Sequence, residues 1–191
     1  MQFPPPVGAM TAMYTLHSEV ALFPVSFGER GLRAASFKIA FPPEFLAQLR
    51  LIVDLGLARI DTIKVRANKG RSAQIVPRET LIALLAERQA PTESREPNDC
   101  DVLRVIAQGT RDGKGIELVE EMVVRPYTPW RVGAGERDTG VPLAIAGILL
   151  GRGGHPVGAH GAECVFDPHE FLRELARYGM RASETSTRML S

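Results

Sequence analysis

Asp138 to Met180 reads DTGVPLAIAGILLGRGGHPVGAHGAECVFDPHEFLRELARYGM, and the fold class turns on its two apolar runs. Thr139 is placed to cap the run Val141 to Leu150, which carries no polar side chain. A helix apolar on every side has to be enclosed by protein, so this run predicts a core helix. In the second run Asp167, Pro168 and Glu170 supply a cap, a first-turn proline and a reciprocal carboxylate. Phe171, Leu172, Leu175 and Tyr178 then share one face, and Gly179 ends the helix. The glycines from Gly151 to Gly154 follow a helix instead of preceding one, which makes them a C-cap and turn, not a phosphate cradle.

Upstream, Val102 to Gln108 and Ile116 to Val124 flank Asp112-Gly113, a pair suited to a hairpin whose turn needs positive φ. Glu117 and Glu121 alternate with Val119 and Val123 on one side. Ile116, Leu118, Met122 and Val124 form the side expected to pack inward. Earlier still, Leu32 to Phe41 alternates as a strand ended by Pro42 and Pro43, and Glu44 to Leu55 has helical spacing closed by Gly56. Thr62 to Ala67 alternates again, Asn68 to Gly70 signals a turn, and Pro77 opens a helix with a stripe of Leu81, Ile82, Leu84 and Leu85. Strand-helix pairs, a hairpin and closing helices predict an α+β class, a mixed β-sheet with helices mainly on one face. One domain is expected over 1–191, with a proline-rich extended lead-in at 1–12 and a flexible polar loop near 90–99.

With 23 Lys and Arg against 22 Asp and Glu, the net charge of +1 gives no electrostatic case for nucleic acid or an anionic membrane as partner. The longest apolar run falls well short of the roughly 20 residues that span a bilayer, and no signal-peptide layout opens the chain. A cytoplasmic protein is expected, with its 2 cysteines, Cys100 and Cys164, as free buried or half-buried thiols.

Val132 to Gly140, VGAGERDTG, has glycines before an apolar helix, but PYTPWR is no core strand and the spacing exceeds GxGxxG. It reads as a loop, and no cofactor site is expected in this chain. His155, His160, Cys164 and His169 are zinc-capable donors, yet their spacing matches no common finger, so no metal is expected. The candidate substrate-binding residues are His17 and Glu19 in HSE, Lys38 on the small-residue face of its strand, and Arg125 and Arg131 flanking Tyr127 and Trp130. Histidine titrates near neutrality, and lysine and arginine meet carboxylates. The bland alternative gives His17 a local hydrogen bond and leaves Glu19, Lys38 and the arginines solvated.

The order TG-x-P-x-A-I-A, glycine-rich break, D-P-x-x-F-x-x-E-L-x-x-x-G resembles the C-terminal part of saccharopine dehydrogenase-like proteins. Upstream, YTLHSEVALFP at Tyr14 to Pro24, ASFKIAF at Ala35 to Phe41 and PRETL at Pro77 to Leu81 follow in the order of that family. The resemblance implies a second domain that contacts an amino-acid-like substrate and forms a homodimer. It also implies a nucleotide-binding half upstream, NAD or NADP for the full-length oxidoreductase acting on a carbon-nitrogen bond, a place in lysine or other amino-acid metabolism, and no activity for this chain alone. The contrasting expectation is a non-catalytic small-molecule-binding or homodimerising module.

Overall fold

The computed structural model describes residues 1–66, 70–88 and 96–188. Contacts divide the chain into two compact units, one of Met1–Ile39 with Glu96–Ser191 and one of Ala40–Arg95. The α+β class holds, but the strands form three small sheets, not one mixed sheet.

In the larger unit, β5 (Asp101–Arg111) and β6 (Lys114–Val124) make the expected hairpin, and β7 (Ala182–Arg188) pairs antiparallel along the free edge of β6. Asp112 and Gly113 have φ of 54° and 71°, the primed-turn geometry that matches strand twist. Direct pairing sets Leu103 opposite Met122 and Asp101 opposite Val124, so these share a face. Arg104 opposite Glu121 lies on the other face, where its Nε donates to the Glu121 carboxylate at 2.6 Å.

The inward face carries helix α4 (Ala134–Gly151) and helix α6 (Pro168–Arg177), joined through the short α5 (Ala162–Val165). Met122 and Val124 from β6, Ala134, Val141, Ile145 and Leu149 from α4, Leu175 from α6 and Met180 form the buried core. Phe166, Phe171 and Leu172 pack against it. Asp167 caps α6 as expected, accepting from the Glu170 amide at 2.8 Å.

The expectation for α4 needs two corrections. The helix starts at Ala134, so VGAGERDTG is mostly its first two turns, and Thr139 lies within it, its hydroxyl bonded back to the Gly135 carbonyl at 2.9 Å. Thr139-Gly140-Val141-Pro142 imitates a cap followed by a first-turn proline; Pro142 is in fact interior. The helix is also not enclosed on all sides. Ile145 and Leu149 are 2% exposed, whereas Leu143 is 74% exposed and Ile148 and Leu150 about half.

The same unit holds β1 (Ala12–Thr15), α1 (Ser18–Phe27) and β2 (Phe37–Ala40), with β1 and β2 paired. The strand expected from Leu32 is thus confined to its last residues, and α1, which contains Pro24, carried no clear helical signal. The smaller unit comprises α2 (Pro43–Asp54), the antiparallel pair β3 (Ile63–Arg66) and β4 (Ser72–Ile75), and α3 (Pro77–Arg88). A hairpin therefore replaces the single strand expected before α3. Most of the expected turn at 68–70 and the part of the expected loop at 90–95 lie outside the described residues. No helix among the described residues is long and apolar enough to cross a membrane.

Candidate functional site

Three of the five expected residues, His17, Glu19 and Lys38, lie at the exposed β1–β2 pair, His17 against Phe37 and Lys38 on the opposite face of β2. His17 occupies the N-cap position of α1 in extended conformation, and its side chain makes no cap bond. Its ring stacks on Phe37 of β2, with centroids 4.1 Å apart and planes 11° from parallel. Next along β2, the Lys38 ammonium sits over the Tyr14 ring of β1, 4.6 Å from its centroid. Two strands whose sequences are more than twenty positions apart thus give a surface of two aromatic contacts, one cation and one imidazole.

The Nδ1 of His17 meets the Glu19 carboxylate, an arrangement that fixes the ring and directs Nε2 outward. Among the described residues Nε2 has no partner. Ser18 Oγ lies 3.4 Å from the same Nδ1 and 3.1 Å from Glu19. A nucleophilic hydroxyl would need the opposite nitrogen, so Ser18, His17 and Glu19 are not arranged as an acyl-transfer triad. The patch can bind and orient: an ammonium for a carboxylate, a carboxylate-backed imidazole for a proton or polar group. It is open to solvent. A cavity of about 200 Å³, lined by residues that include Leu150, Pro156, His160 and Phe166, lies at the end of α4 and touches none of the five expected residues.

Arg125 and Arg131 belong to a second corner, at the start of α4. Tyr127 and Val132 bridge to each other across a 3-10 turn at Thr128–Trp130, and Arg131 closes it with φ of 53°, an uncommon conformation for a side chain of its size. Trp130 stands edge-on to Tyr127 at 4.9 Å and tilted toward Tyr178 at 6.4 Å. Among the described residues neither Arg125 nor Arg131 ion-pairs with a carboxylate.

The arginine that organises this corner is Arg137, buried on α4, which the reading of VGAGERDTG as a loop passed over. Its guanidinium donates to the Arg125 carbonyl at 2.9 Å and to the Tyr178 carbonyl, and lies 5.3 Å from the centre of the Tyr127 ring. Carbonyl oxygens and a π face meet its donors, and among the described residues no carboxylate neutralises it.

Beside it, three carboxylates converge from distant positions. Asp99 Oδ2 accepts from the Ala134 amide at 2.8 Å and the Gly135 amide at 3.4 Å, capping amides that the side-chain-less N-cap Gly133 cannot reach. A side chain at Gly133 would stand 2.8 Å from that carboxylate, so the close approach needs glycine there. Asp101 reaches the first turn of α4, where a side chain at Gly135 would stand 3.3 Å from its Oδ2, and Asp138 lies on the same helix. Burial and then the neighbouring negative charge, Asp99 for Asp101 and Asp101 for Asp138, push both carboxyls above the usual carboxylate range. Residue types alone gave no signal for this pair, because 37 positions of sequence separate its members.

Both ring nitrogens of His155 face main-chain carbonyls, of Val165 at 3.2 Å and Leu149 at 3.0 Å, and His160 Nε2 faces the Val157 carbonyl at 3.2 Å. Among the described residues no three His, Cys, Asp or Glu side chains are grouped to hold a metal. Cys100 is half-buried and Cys164 exposed, both free. Compared with protein-family models and with curated proteins, the chain matches none.

Proposed function

We propose that this chain is the substrate-binding and dimerisation part of a saccharopine dehydrogenase-like oxidoreductase, working with a nucleotide-binding half that supplies NAD or NADP. The reading rests on the order of motifs along the sequence and on one structural observation. Consecutive residues of β2 carry two exposed contacts, Phe37 holding the His17–Glu19 pair and Lys38 standing over Tyr14, with the side chains of Phe37 and Lys38 on opposite faces of the strand. An amino-acid substrate would present its carboxylate to the Lys38 ammonium, while His17, whose Nδ1 contact with Glu19 keeps the ring in place, offers a separate polar contact. A cytoplasmic setting and amino-acid metabolism belong to the same proposal.

The openness of that patch favours the idea that another domain completes the site. Pockets that take small molecules usually enclose about 300 to 1,000 Å³, and the His17 patch is a surface. The same openness is what a non-catalytic small-molecule-binding module would have, and that second reading dispenses with the nucleotide.

Calorimetric titration separates them. The expected result is weak, saturable binding of an α-amino acid, at least about tenfold weaker in Lys38→Ala, and no heat with NADH or NADPH. Amino-acid binding unaffected by both His17→Ala and Lys38→Ala would overturn the assignment of the patch. Saturable NADPH binding would overturn the division of labour between two halves.

A further inference from the structure

The corner at the start of α4 has the composition of a protein interface and carries two charge sets that form no ion pair among the described residues. Trp130 is 55% exposed, Tyr178 39% and Tyr127 36%. Exposed tryptophan and tyrosine with arginine are the residues that dominate binding energy in protein contacts. Around them stand Arg125 and Arg131, without an ion-pair partner among the described residues, and Arg137, buried and held only by carbonyls and a ring. At the first turns of α4 lie Asp101, whose Oδ2 would stand 3.3 Å from a side chain at Gly135, and Asp138, and neither ion-pairs with a cation among the described residues.

A guanidinium set that lacks carboxylates and a carboxylate set that lacks guanidinium groups, on one small surface, are self-complementary. A two-fold axis places each set of one copy against the opposite set of the other, because in such an interface residue i meets j and j meets i. We propose that this corner is a docking surface for a second copy of the chain: Arg125 and Arg131 of one protomer face Asp101 and Asp138 of its partner, with Trp130 between them. The inference rests on the dimerisation part of the proposed function and gives it a location.

The occupant is a second copy and not an unrelated acidic or basic protein, because either of those would satisfy one charge set and desolvate the other without a partner. The apolar flank fits the same assignment. Leu143, on the open side of α4, is 74% exposed, and the helix has no charged residue from Gly140 to Gly151. Such a neutral flank adds buried area to a two-fold contact without adding like-charge repulsion.

The test is a charge swap read by light scattering and sedimentation across a range of protein concentrations. Wild type is expected to be a dimer. Arg131→Glu and Asp138→Arg each place like charges opposite one another twice, so each alone is expected to dimerise roughly a hundredfold more weakly. Mixed together, the two variants regain opposite charges at both contacts and are expected to form a heterodimer near wild-type affinity. Arg131 makes no side-chain bond among the described residues, so its variant keeps the fold, checked by circular dichroism. Trp130→Ala provides an independent disruption.

A wild-type dimer that survives Arg131→Glu, Asp138→Arg and Trp130→Ala overturns this surface and leaves the dimerisation reading standing. A wild-type monomer at the highest concentration overturns both, while the amino-acid titration decides the rest of the proposed function separately. Variants that weaken the dimer but fail to recover on mixing overturn the pairing of arginines with aspartates.

Discussion

The corner held by Arg137 and the patch around His17 lie in the same unit and are built from contacts of opposite reach. Arg137 ties carbonyls 12 and 41 positions away, and Asp99 caps a helix 35 positions downstream. His17, by contrast, is set by Glu19 two positions on and by a ring stack across a pair of four-residue strands. Long-range contacts fix the start of α4 as part of the core, whereas local ones leave the His17 patch exposed and separable from it. Stability therefore belongs to the first region, and the ligand contact we propose belongs to the second.

Ile145→Ala should break that contrast most severely if it is real. The side chain is 2% exposed between β6 and α6, so its removal is expected to cost about 3 kcal/mol of stability in urea unfolding through lost burial and a residual cavity. Loss below about 1 kcal/mol would mean that the α4 core is loosely packed and that the two regions do not differ in kind.

Asp99→Ala is the sharper comparison, because it removes a helix cap supplied from far away while leaving α4 itself unaltered. The expected cost is about 1 kcal/mol, against less than about 0.5 kcal/mol for His17→Ala, whose side chain caps nothing. Equal costs would show that the cap is redundant with Glu136, which already accepts from the Gly133 amide at 2.7 Å.

The smallest effect expected is at Asp101, and its pH dependence carries the sign. Folded-state carboxyls held above their ordinary value of 3.8 contribute stability fully present below that pH and lost as pH rises through the raised values. In the monomer, measured at protein concentrations below those at which the chain pairs, Asp101→Asn removes the repulsion, so thermal midpoints of variant and wild type should coincide near pH 3 and separate toward pH 7 in favour of the variant. After solvent screening the gain is under about 1 kcal/mol. A variant less stable than wild type at pH 7 would mean that a cation already neutralises the pair.

Sequence pattern read the hairpin and α6 well because their signals are local. Asp112-Gly113 specifies its own turn, and Asp167-Pro168 with Glu170 specifies its own helix start. It misread the start of α4 because Thr139 and Pro142 imitate a helix beginning, while the real cap, Asp99, comes from across the fold. It gave no account of β7, whose ASETSTR has no apolar alternation and is a strand by virtue of pairing with β6. At the His17 patch the residue types were legible, and their proximity was not. Lys38 meets Tyr14 only because β1 pairs with β2.

The sequence by itself determined the α+β class, the hairpin register through its turn, the capped amphipathic α6 and a list of residues with the chemistry to bind an amino acid. These depend on periodicity and capping over a few neighbours, which side-chain chemistry encodes directly. The tertiary structure alone decided where α4 begins, that one side of it is open, that Arg137 is buried on carbonyls, and that Asp101 lies against Asp138. Those outcomes depend on which distant groups share a small volume, where desolvation and unscreened charge, not local propensity, set the energy.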